Sequence, residues 1–111
     1  MARTWIIAAI ALVLSARVAC AGTAEKGKGL YAGHCASCHG LAGNGQGPQA
    51  PGMNPAPTDF TNAAAMNARS DSDLQMPILQ GKYGTAMPGY GTVLSPDDVE
   101  SLVRYLRTLA R

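Results

Sequence analysis

From Leu41 to Thr61 the chain carries Gly43, Gly45, Gly47, Pro48, Pro51, Gly52, Pro55 and Pro57, a density that excludes both a helix and a central strand. A stretch of this length without regular structure is uncommon in a compact domain unless it wraps something. The remaining sequence offers little to wrap. Its bulky residues are one Phe, four Tyr and a single Trp, Trp5, at the far N-terminal end. A chain of 111 residues supports one domain at most. The interior therefore calls for bulk that ordinary side chains do not supply.

Residues 1–21 read as a secretory signal peptide: basic Arg3, an apolar run from Trp5 to Leu14, then small Ala19, Cys20 and Ala21 at a cleavage point after Ala21. The run is shorter than the roughly twenty residues that span a bilayer, and Arg17 blocks its extension. A retained tether and a lipidated Cys20 are the competing readings, and Arg17 fits lipidation poorly. Cleavage leaves residues 22–111 as one domain in the periplasm, with no stable membrane insertion. Of nine basic residues, Arg3 and Arg17 leave with the signal, so seven remain against seven acidic ones. The +2 of the whole chain is thus no nucleic-acid or membrane signal.

Within residues 22–111 the local signals predict three main helices and long loops. Thr23 caps the first, which runs to about His34 with Glu25 in its first turn. Gly27 and Gly29 each weaken it by roughly 1 kcal/mol relative to Ala, which suggests that another backbone comes close. Ser70 and Asp71 open a second to about Gln80, ended by Gly81, with Pro77 inside it predicting a kink or a short helix. Ser95, Pro96 and Asp98 then open the last, whose apolar face is Val99, Leu102, Val103, Leu106 and Leu109. Glu100 and Arg104 form an i, i+4 pair, while Arg104, Arg107 and Arg111 suit the negative end of the dipole. No alternating run argues for a strand, so the class is all-α.

Cys35-Ala36-Ser37-Cys38-His39 is the attachment signature for c-type haem. Two thiols three positions apart on a helical turn can each add to one vinyl group of a porphyrin, and the adjacent imidazole is directed at the iron. A thioredoxin-like pair needs a βαβ setting, which is absent. Zinc needs four ligands, and His34, Cys35, Cys38 and His39 crowd into six residues. A structural disulfide is the remaining competitor. His34 itself reads as a surface or helix-packing residue, turned away from His39 by helical geometry.

A six-coordinate haem needs a second axial ligand, and methionine is a common partner for histidine. Met53 lies soon after the motif, on the histidine side of the chain's path. Met66 and Met76 fall in stretches of helical character, where methionine is more often core. Met87 sits in the irregular loop Gly84 to Gly91, just before the capped last helix, free to set a sulfur against a flat ring. It is the expected ligand, with Met76, also followed by proline, as the alternative.

These features together resemble a class I cytochrome c over nearly all of residues 22–111. The resemblance rests on Gly27 with Leu30-Tyr31, on the attachment motif with Gly40, on Met87-Pro88, and on Leu102, Tyr105 and Leu106. It implies a small cytochrome c-like fold around one covalent haem c, with Gly27 close to Tyr105 where the first and last helices cross. It also implies a proline carbonyl accepting a hydrogen bond from His39, for which Pro48 and Pro51 are both candidates.

The expected function is that of a periplasmic, monomeric electron shuttle between a redox protein donor and acceptor, and not an enzyme by itself, since no acid, base and substrate pocket is evident beyond the haem. The alternatives are a haem subunit of a larger oxidoreductase complex and an open-site ligand-binding haem protein. Lys26, Lys28 and Lys82 either rim a docking face for an acidic partner or are solvated surface.

Overall fold

A computed structural model describes residues 22–111, and the expected signal segment lies outside them. Five helices follow in order: α1 Ala24–His34, α2 Ala36–His39, α3 Ala63–Asn67, α4 Asp71–Gln80 and α5 Pro96–Leu109. No strand occurs among the described residues. The three expected helices are α1, α4 and α5, with the caps read from the sequence. Thr23, Ser70 and Ser95 each accept a hydrogen bond from the backbone N–H three residues on, and the last two form full capping boxes with Asp73 and Asp98. Pro77 does not stop α4, which continues to Gln80.

α5 buries Val99, Leu102, Val103 and Leu106, each stabilising the fold by about 1.5–3 kcal/mol. Its main partner is α1. At the crossing, a Cβ on Gly27 would collide with the carbonyl of Ser101 and come within 2.8 Å of Tyr105 Cβ. The expected closeness of Gly27 to Tyr105 is therefore present, and glycine is what permits it. Around this contact Tyr31 packs on Tyr105 with ring centroids 5.2 Å apart, and the buried hydroxyl of Ser101 accepts from Thr23 N–H at 3.0 Å. Lys26 bridges to Asp98 at 2.8 Å, an ion pair between α1 and α5 that leaves the lysine half exposed.

The remaining packing depends on how helix ends are satisfied, since each leaves backbone carbonyls without intrahelical partners. The Gly/Pro loop lies along α2, with Gly45 N–H donating to His39 C=O, Gly47 to Cys38 C=O and Gln49 to Ser37 C=O, at 2.8 to 3.0 Å. A side chain at Gly47 would collide with Ser37 C=O, so the ladder needs glycine there. The loop before α5 treats α4 likewise: Gly81, Tyr90 and Gly91 donate to the carbonyls of Pro77, Ile78 and Leu79 at 2.8 to 3.0 Å. Arg107 of α5 closes the end of α3, donating to Met66 C=O at 2.6 Å and Arg69 C=O at 2.7 Å while pairing with Asp71 at 2.9 Å. Its role is thus more specific than the dipole complement expected from sequence.

Candidate haem site

α2 is a single turn that starts after a break at Cys35, whose φ of −119° departs from helical geometry. Cys35 and Cys38 are both free thiols and half-buried, with no disulfide between them. Burial, assisted by the neighbouring Cys38, pushes the Cys35 thiol up to about 11, so it is protonated at neutral pH. Among the described residues no three His, Cys, Asp or Glu side chains gather in a way that could hold a metal ion.

The His39 ring is held from two directions. Its Nδ1 lies 3.1 Å from the carbonyl oxygen of Thr58, and since a carbonyl only accepts, Nδ1 carries the proton. Its face stacks on Phe60, with centroids 4.7 Å apart and planes 26° from parallel. Burial pulls its pKa below the ordinary value and the Thr58 bond only partly offsets this, so the imidazole is neutral at neutral pH. Nε2 then has a free lone pair. The expected proline acceptor is corrected: neither Pro48 nor Pro51 meets the ring. That part of the loop is engaged with Ser37 and Cys38 carbonyls, and only on its return, at Thr58, does a carbonyl reach His39. Sequence reasoning missed Thr58 and Phe60. The status of Phe60 as the one Phe of the chain was the available signal.

A cavity of about 370 Å³ adjoins these groups, within the range of about 300–1,000 Å³ for organic-ligand sites. Cys35, Cys38, His39 and Met87 all line it, over an apolar interior of Phe60, Leu74, Ile78 and Leu106. The donor set and the apolar walls fit a flat, largely apolar ring with a coordinating centre. Met53 lines the cavity too, whereas Met66 and Met76 do not. Met66 is core, 1% exposed, as expected. Met76 corrects its expectation: at 43% exposure it belongs neither to the core nor to the cavity. Leu74 and Ile78, four apart, define the buried face of α4, and Met76 lies between them on the opposite side.

Met87 is half-buried in a loop fixed at both ends. Its carbonyl accepts from Lys82 N–H at 3.1 Å and its own N–H donates to Thr85 Oγ1 at 3.2 Å. Tyr90, shortly after, donates its hydroxyl to His34 C=O at 3.0 Å, and the His34 and Tyr90 rings pack edge to face at 5.6 Å. The packing role expected for His34 is present, but the side chain also lines the cavity. α1 ends at His34 and a new turn begins after Cys35, so His34 and His39 do not lie on one continuous helix.

Comparison with known proteins places this geometry. The family model described as "Cytochrome c" matches residues 24–110. Cytochrome c55X of Paracoccus denitrificans is 37% identical over 88% of this chain and 90% of its own length. The cbb3-type cytochrome c oxidase subunit FixP of Azorhizobium caulinodans is 33% identical over 78% of this chain but only 27% of its own. Among solved structures, the KustC0563 c-type cytochrome superposes with a TM-score of 0.64 at 28% identity, over 77% of this chain and 98% of that one.

Proposed function

The chain belongs to the cytochrome c family, whose members carry covalently attached haem c, and from that premise we propose that it shuttles single electrons between exported redox proteins with His39 and Met87 as iron ligands. The group supplies reversible one-electron exchange at iron. Every other part of the task falls to the chain. Cys35 and Cys38, spaced across one turn, would hold the ring by thioethers to its two vinyl groups. His39 presents a neutral Nε2, oriented through the Nδ1–H bond to Thr58 and the stack on Phe60. Met87 offers a soft, neutral sulfur that favours ferrous iron.

The observation that carries this reading is the joint lining of one cavity by Cys35, Cys38, His39 and Met87. Periplasmic location rests on residues 1–21, and no helix among the described residues is long and apolar enough to cross a membrane. A second reading, a haem domain working inside an oxidoreductase complex, is favoured by the similarity to FixP, an oxidase subunit. Expression in a host that matures c-type cytochromes, followed by acid–acetone extraction and a redox titration, tests the proposal. Colour that stays with the polypeptide and a reversible one-electron wave support it. Freely extracted haem defeats it, and co-purification in a stable oxidoreductase assembly favours the second reading.

A further inference from the structure

The start of α1 is docked on α5 by a short run of contacts. Thr23 N–H donates to Ser101 Oγ at 3.0 Å, Lys26 pairs with Asp98 at 2.8 Å, and Gly27 lies against the Ser101 carbonyl. Gly22 heads this run and is itself buried. A Cβ there would come within 2.9 Å of both Cγ and Cδ of Glu100, so the backbone of residue 22 lies against the end of that side chain. The carboxylate is thus within reach of the Gly22 nitrogen.

Glu100 has room for a further cation. Arg104 reaches its Oε1, from Nε at 3.3 Å and Nη2 at 2.9 Å, while Oε2 has no hydrogen bond among the described residues. A carboxylate accepts at both oxygens. As a peptide amide the Gly22 nitrogen carries one proton and no charge. Cleavage at the expected point changes that: water adds across the Ala21–Gly22 bond, Ala21 leaves as a carboxylate, and Gly22 keeps a protonated amine with three donors.

Resting on the export reading above, we propose that removal of the signal segment builds an ion pair, in which the new α-ammonium of Gly22 is held by Glu100 and ties the start of α1 to α5. The other charged groups at this junction are Glu25 and Lys26 of α1 and Asp97, Asp98 and Arg104 of α5. With Glu100, four carboxylates there face two cations, and the freed amine supplies a third. An amine paired in this way has its pKa raised, so its contribution to stability is present below the unfolded value near 8 and is lost as pH rises through the folded one.

The test uses the haem-loaded protein recovered from the periplasm. N-terminal sequencing fixes the first residue, and trace acetylation by acetic anhydride across a pH series, read by peptide mass spectrometry, gives the titration of its amine. The native chain, Glu100→Gln and Asp97→Asn are compared. The native Gly22 amine should titrate above the ordinary α-amino range of about 7.7–8.0, and Glu100→Gln should return it to that range. Asp97→Asn removes an equal charge from an exposed position on the same helix and should change it little. The same titration in the native and Glu100→Gln chains, or an equal drop in Asp97→Asn, overturns the pair. A chain that begins at any other residue sinks the cleavage reading and the pair with it, an outcome told apart by sequencing alone.

Discussion

His39 Nδ1 donates to the carbonyl of Thr58 at 3.1 Å, so the ring that faces the cavity is oriented by backbone nineteen residues further along the chain. The same loop delivers Phe60 to the face of that ring. Phe60 is 8% exposed, and Phe60→Ala should cost about 3–5 kcal/mol in denaturant unfolding, a large fraction of the stability of a small domain. A loss under about 1 kcal/mol would mean that the loop is not anchored through this residue.

Two glycines of α1 separate packing from propensity. Gly29 has open space where a Cβ would point, so Gly29→Ala should stabilise by about 0.5–1 kcal/mol. Gly27→Ala gains the same propensity but drives a methyl into Ser101 C=O, and should lose about 1–3 kcal/mol net. Thermal melts of the two variants should shift in opposite directions.

Arg107 satisfies two carbonyls at the end of α3 and pairs with Asp71, and hydrogen bonds to a charged group are worth about 1.5–3 kcal/mol. With a third of its side chain exposed to water, Arg107→Gln should cost about 2 kcal/mol. Amide exchange should quicken in α3 before α1. Uniform acceleration across the chain would contradict the local role.

Asp98 has its pKa held down to about 2 by the hydrogen bond to Lys26, with help from Ser95. A depressed carboxylate contributes stability above its unfolded value, near 4, and that contribution is lost as pH falls toward 2. Asp98→Asn should therefore lower the melting temperature at neutral pH and flatten its dependence on pH between about 4 and 2. Added salt should shrink the effect, since the pair faces solvent. An unchanged acid limb in the variant would show that Lys26 and Asp98 do not interact in solution.

The three long helices were legible because their signals are local. Thr23, Ser70 and Ser95 mark starts within four residues of the bonds they make. Cys35, Cys38 and His39 were legible for the same reason. Where a contact joins residues far apart in the chain, the sequence was silent. Whether Thr58 or a proline meets His39 depends on the path of the loop, and the clasp of Arg107 on Met66 and Arg69 joins residues about forty apart. α3 is five residues long, too short for periodicity to register. Met76 was misread for a different reason, because the i, i+4 pairing of Leu74 with Ile78 already marked it as outward-facing.

On the proposed reading His39 and Met87 would both hold the iron and leave no position open to a gas, as an electron carrier requires. Exposure of the reduced protein to carbon monoxide tests it directly. The native spectrum should barely change, Met87→Ala should take up the gas readily with haem still attached, and Met76→Ala should behave as native with a stability change within about 0.5 kcal/mol. Ready binding by the native protein, or an unaltered response in Met87→Ala, would contradict the account.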